Sequence, residues 1–150
     1  MNHIPYYKQE KSWTCGAACM KMILESFGIK KTEKQLAKSL ETNKVIGTWE
    51  FELPELAERH KLTYVVERNG TIKDLRRYLR EGFKIIVCYY LLKEKTAHYS
   101  IIHDINRNYI HFLDPYFGEN HKLKLDYFKR TWKSDPIHEK DKKWFIAIKK

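Results

Sequence analysis

Near residue 84 the chain abruptly changes its hydrophobic period, and this change limits the folds open to it. Before that point apolar residues recur at helical spacing; after it they crowd into runs of β-branched and aromatic residues. Thr14 to Phe27 reads as a helix, with Ala18, Met22 and Ile23 on its core side, Thr14 as N-cap and Gly28 as the stop. Thr32-Glu33-Lys34-Gln35 is a capping box that opens a second helix running through Leu40. Thr48 to Leu62 is helical in pattern, with Leu53, Leu56 and Ala57 on one face and Pro54 near its start, where proline is tolerated. Thr63 to Glu67 is a short strand, and Thr71 to Glu81 a further helix ending at Gly82. Beyond it, Lys84 to Leu92, Ala97 to Ile105 and Tyr109 to Asp114 read as strands, with Asn106-Arg107-Asn108 as the turn between the last two. Trp144 to Ile148 is the closing strand. Helices first and antiparallel strands second define an α+β architecture, and 150 residues suit one domain over 1–150.

Several classes of protein are excluded. Apolar residues make up 43%, too many for a disordered chain. The longest apolar run, Ile85 to Leu92, is far short of the roughly 20 residues of a membrane span. The N-terminal MNHIPYYKQEKSW has no apolar core of a secretory signal. Three cysteines, at 15, 19 and 88, argue against a disulfide framework and for a reducing cytoplasm. The net charge of +10 is concentrated in the last fifth of the chain and around Arg76, Arg77 and Arg80. No nucleic-acid-binding motif accompanies it, so nucleic acid is not an expected partner.

The chemistry centres on Cys15, in the string SWTCGAACM at the first turn of the first helix. A helix N-terminus presents unpaired N–H groups and partial positive charge, which favour a thiolate. Gly16 and Ala17 leave room for a substrate to reach the sulfur. His98 opens one strand and Asp114 closes the next, and the two lie symmetrically about residue 106. A hairpin centred there, with a three-residue loop, puts His98, Ser100 and Ile102 on one face with Asp114, Phe112 and Ile110. The carboxylate then fixes the imidazole, which can draw the proton from Cys15. Gln9, six residues before Cys15, can donate to a developing oxyanion together with the Cys15 N–H.

Gln9, Cys15, His98 and Asp114 occur in the order that resembles papain-like cysteine peptidases. CGAACMKMILESFGI, HYSII and DPYFG more closely resemble the double-glycine leader peptidases that process bacteriocin and pheromone precursors. The resemblance implies a papain-like fold, with an N-terminal helical lobe, a C-terminal antiparallel sheet lobe and a cleft between them. It implies Cys15 as nucleophile, His98 as base, Asp114 as orienter and Gln9 as oxyanion donor. The expected form is a stand-alone one, without the ABC exporter, with a separate membrane transporter as an expected partner. Thr14 stands where those exporters often have Asp. The expected substrate is a peptide or protein, cut after Gly-Gly in a leader. Tyr6, Trp13 and Tyr99 would form a narrow slot for the glycines, and Arg76, Arg77 and Arg80 would meet an acidic leader. An acyltransferase with the same thioacyl chemistry and an inactive peptide-binding module of the same fold are the alternatives.

Cys15 and Cys19 share a helical face, but the ligand set for zinc is incomplete, and neither metal nor cofactor is expected. Cys19 reads as packing and Cys88 as core. His103 and His111 fall on the opposite strand face from His98.

Overall fold

The computed structural model describes residues 3–150. Five helices and six strands follow the chain in the order α1 (Cys15–Ser26), α2 (Glu33–Ser39), α3 (Glu52–Arg59), β1 (Thr63–Glu67), α4 (Ile72–Arg80), β2 (Lys84–Leu91), β3 (Thr96–Ile105), β4 (Tyr109–Asp114), β5 (Gly118–Lys124), α5 (Leu125–Thr131) and β6 (Phe145–Lys149). The architecture is α+β, as expected. Capping boxes start α2 and α4, where Thr32 and Thr71 accept from Gln35 N–H and Asp74 N–H. Gly28 and Gly82 follow their helices at φ +86° and +88°, a region that side chains rarely enter.

Three details depart from the expectations. Thr14 does not cap α1 with its side chain. Its hydroxyl lies 2.9 Å from Glu33 Oε2 instead, so the first-turn N–H groups of α1 keep no side-chain acceptor. β5 and α5 were not anticipated: α5 has only seven residues and no side-chain cap, and GENHKLK is a polar strand at a sheet edge. Finally, β6 does not close the sheet from outside.

The sheet is antiparallel with strand order β1-β6-β2-β3-β4-β5, so β6 lies between β1 and β2. Each face carries its own core. On one, α1, α2 and α3 pack Met20, Ile23, Leu36 and Leu53 against Ile86, Ile101 and Ile146. On the other, α4 and α5 pack Leu75 and Phe128 against Val87, Phe112 and Phe145. The helical lobe is therefore α1–α3, while α4 and α5 back the sheet. The three-residue turn 106–108 is tied by Asn106 Oδ1, which accepts from Asn108 N–H and Tyr109 N–H. A register shift between Ile102 and Asp104 bulges β3 at His103 without disturbing the Ile102–Phe112 pairing.

Candidate active site

Cys15 begins α1, half-buried at the wall of a cavity of about 330 Å³. Gly16 lets that first turn sit close to its neighbours. A Cβ there would lie 3.0 Å from Thr48 Oγ1 and 3.3 Å from the Tyr99 ring. The backbone N–H of Tyr99 in β3 donates to Cys15 Sγ at 3.4 Å, and the Tyr99 hydroxyl donates to Thr48 O at 2.7 Å. The sulfur is thus fastened to β3 one residue beyond His98.

His98 is 4% exposed, and its Nε2 lies 2.8 Å from Asp114 Oδ1. With Nε2 engaged, Nδ1 is the ring nitrogen left for the thiol. Asp114 is fully buried. Its Oδ1 also accepts from Tyr116 N–H and Phe117 N–H, each at 2.9 Å, and its Oδ2 accepts from the Tyr89 hydroxyl at 2.9 Å. Asp114-Pro115 is both a turn starter and the partner of the histidine, because one carboxylate serves both. Burial alone would raise the Asp114 pKa. The His98 hydrogen bond and charge, with the two backbone donors, overcome it and hold the group at about 2. Burial likewise opposes a charged His98, but hydrogen bonds to Asp114 and Cys15 raise it to about 10. The buried pair is therefore imidazolium and carboxylate across neutral pH.

Gln9 is 9% exposed and lines the cavity with Cys15. Its backbone N–H donates to Pro115 O at 2.8 Å, which ties the N-terminal segment to the Asp114 turn. Its Nε2 donates to Lys11 O at 2.8 Å, leaving the second amide proton free, while its Oε1 is buried without a partner. Glu33 braces this segment from α2: its Oε2 accepts from Glu10 N–H at 2.8 Å and lies 2.9 Å from the Thr14 hydroxyl.

Trp13 and Tyr99 line the cavity. Tyr6 does not: its hydroxyl donates to Asp114 O at 2.6 Å, behind the carboxylate, and the slot assigned to it is corrected accordingly. Arg76 donates to Ile105 O and Asn106 O, and Arg77 stacks on Tyr78, both on α4 across the sheet from α1. Cys19 and Cys88 are 0% and 1% exposed, and burial pushes both thiols up. His111 lies outside the site, 3.1 Å from Asn106 Nδ2. Among the described residues, no group of three or more His, Cys, Asp or Glu is arranged to hold a metal ion. No described helix is long and apolar enough to cross a membrane.

Sequence reasoning missed Tyr89, Thr48, Glu33 and the Ser134–Glu139 wall of the cavity. Tyr89 stands opposite His98 in the β2–β3 register, a signal visible only once that hairpin is aligned. Glu33 was read only as part of a capping box, and nothing local says that its carboxylate turns inward.

The fold is shared with solved peptidase domains. The peptidase domain of Streptococcus ComA, a bifunctional ABC transporter in quorum sensing, is 18% identical over 98% of both chains, with a TM-score of 0.77. A double glycine motif protease from an AMS/PCAT transporter, in complex with the leader peptide, is 16% identical over 99% of this chain and 92% of that one, at 0.72. A Bacillus anthracis protein described as a C39-like peptidase is 14% identical over 100% of this chain and 96% of that one, at 0.78. No curated protein matches. The Peptidase C39 family pattern matches residues 3–148, and the chain belongs to that family of cysteine peptidases.

Proposed function

We propose that this chain is an active cysteine peptidase, with Cys15, His98, Asp114 and Gln9 carrying the reaction. The observation that supports it most is the anchoring of two partners side by side. Cys15 Sγ is tied to the Tyr99 N–H, and the adjacent His98 has its far nitrogen held by Asp114 at 2.8 Å. In this reading His98 already holds the proton drawn from Cys15, so the resting site is a thiolate–imidazolium pair, and the thiolate attacks the peptide carbonyl carbon. The oxyanion is met by the Cys15 N–H and the free amide proton of Gln9. As the tetrahedral adduct collapses, the C–N bond breaks and His98 Nδ1–H gives its proton to the leaving amine. Water then adds to the thioester, with His98 taking its proton, and the acid product leaves as the C–S bond breaks and the thiolate–imidazolium pair re-forms.

The proposed substrate is a leader peptide cut after Gly-Gly, with a membrane transporter as the wider partner and the cytoplasm as the setting. The support is the similarity to a double glycine motif protease bound to its leader peptide and to the ComA peptidase domain. The test is incubation with a leader-like peptide carrying Gly-Gly, followed by mass analysis. The expected result is two fragments split after the second glycine, and none with Cys15→Ala. Capture of the acyl group by added amine in place of water would mark a transferase. An intact peptide, with Cys15 inert to an electrophilic probe, would mark a binding module.

A further inference from the structure

The chain carries a net charge of +10, yet the cavity beside Cys15 is acidic. Glu94, Asp135 and Glu139 line it, against two cationic groups, Lys44 and the His98 imidazolium. Glu139 is the best built of the three. Its Oε1 accepts from the Ser134 hydroxyl at 3.0 Å and its Oε2 from the Glu50 N–H at 2.9 Å, so the carboxylate is held in place with acceptor capacity to spare. These two donors oppose the burial that raises its pKa.

Behind it, Glu50 is 2% exposed, and neither of its carboxylate oxygens has a hydrogen-bond partner. Burial, then the Glu139 charge, push Glu50 up to about 9, so Glu50 is neutral near neutral pH and adds no second charge behind Glu139. Cys88 and Tyr99, paired across β2 and β3, line the same cavity as Glu139 and the nucleophile. The Glu139 charge is felt at both of their side chains, and the Tyr99 N–H is the donor on Cys15 Sγ. The acidic wall and the reacting sulfur thus line one cavity. Arginine and lysine side chains fit such a place, because an apolar stem ends in a cationic head.

We infer that this wall is a specificity site: the cleft takes a peptide with a lysine or arginine within three residues of the bond to be cut. The cationic head meets Glu139 beside Ser134, and the methylene stem lies along Cys88 and Tyr99. This rests on the peptidase reading above and adds a substrate feature to it.

A panel of leader-like Gly-Gly peptides, carrying lysine or its uncharged isostere norleucine at each of the three positions on either side of the bond, tests the inference. At one position the lysine peptide should exceed its norleucine counterpart in kcat/KM by at least about tenfold, the effect of one charged hydrogen bond. Raising the salt should shrink that ratio. Glu139→Gln should bring the two peptides to within about twofold of one another. If that variant fails to fold, the wild-type ratio and its salt dependence decide the matter. Equal turnover of lysine and norleucine at every position overturns the inference, while cleavage itself leaves the peptidase reading standing. Absence of any cleavage, with Cys15 unlabelled by an electrophilic probe, removes both.

Discussion

Asp114→Asn removes one charge from a site whose hydrogen bonds it can largely keep. An asparagine oxygen in place of Oδ1 can still accept from His98 Nε2, Tyr116 N–H and Phe117 N–H, and the Tyr89 hydroxyl can turn to accept from the new amide. The tautomer is therefore preserved and the charge alone is lost. A charge-assisted hydrogen bond contributes about 1.5–3 kcal/mol, so kcat/KM should fall by roughly 10- to 150-fold. The pH profile is more diagnostic. The alkaline limb reports loss of the His98 proton, which the native site delays to about pH 10, so it should move toward neutrality in the variant. Stability should follow the same pair. The Asp114 contribution is present above its ordinary 3.8 and is lost as pH falls toward about 2. The His98 contribution is complete below its ordinary 6.5 and is lost as pH rises through about 10. The Tm gap between wild type and variant should thus be widest between about pH 4 and 6.5 and close on either side. Peptide hydrolysis across pH, with melting curves on the same samples, measures both. A folded variant with an unmoved alkaline limb would refute the argument that the Asp114 charge sustains the imidazolium.

Iodoacetamide at neutral pH should label Cys15 ahead of Cys19 and Cys88, which are buried with thiols pushed up; peptide mapping reads the order. Equal labelling in the folded state would dismiss Cys15 as the reactive thiol. Gln9→Ala should lower kcat by about 10²–10³, as for one oxyanion donor, and a change confined to KM would make Gln9 a binding residue instead. Tyr89→Phe leaves the buried Asp114 Oδ2 without its donor and should cost about 1–3 kcal/mol in urea unfolding. An unchanged midpoint would show that another donor replaces it.

The hairpin that unites His98 with Asp114 was legible because alternation and a three-residue Asn turn are local signals, and the pairing follows arithmetically from them. Gly16 beside Cys15 was legible as a small residue at a helix start, though not its contact with Thr48. The rest depended on contacts distant in sequence. Tyr6 and Tyr89 look alike, each the first of a Tyr-Tyr pair, yet one binds the Asp114 carbonyl and the other its carboxylate. Glu139 comes 124 residues after Cys15, from a loop with no periodic signal, and only the fold brings it to the same cavity. Polar β5 and seven-residue α5 lacked the apolar period that identified the other elements.

The interior place of β6 affects how the protein is made. Its residues 145–149 pair on one side with Thr63–Glu67 and on the other with Lys84–Val87, so two earlier strands must wait for a segment synthesised long after them. Local hairpins such as β3–β4 can form as they emerge from the ribosome, but the sheet that carries His98 stays split until β6 slides between β1 and β2. Such long-range closure is slow compared with helix or hairpin formation. A domain assembled in this order brings its candidate site into working shape only after nearly all of its residues have been synthesised.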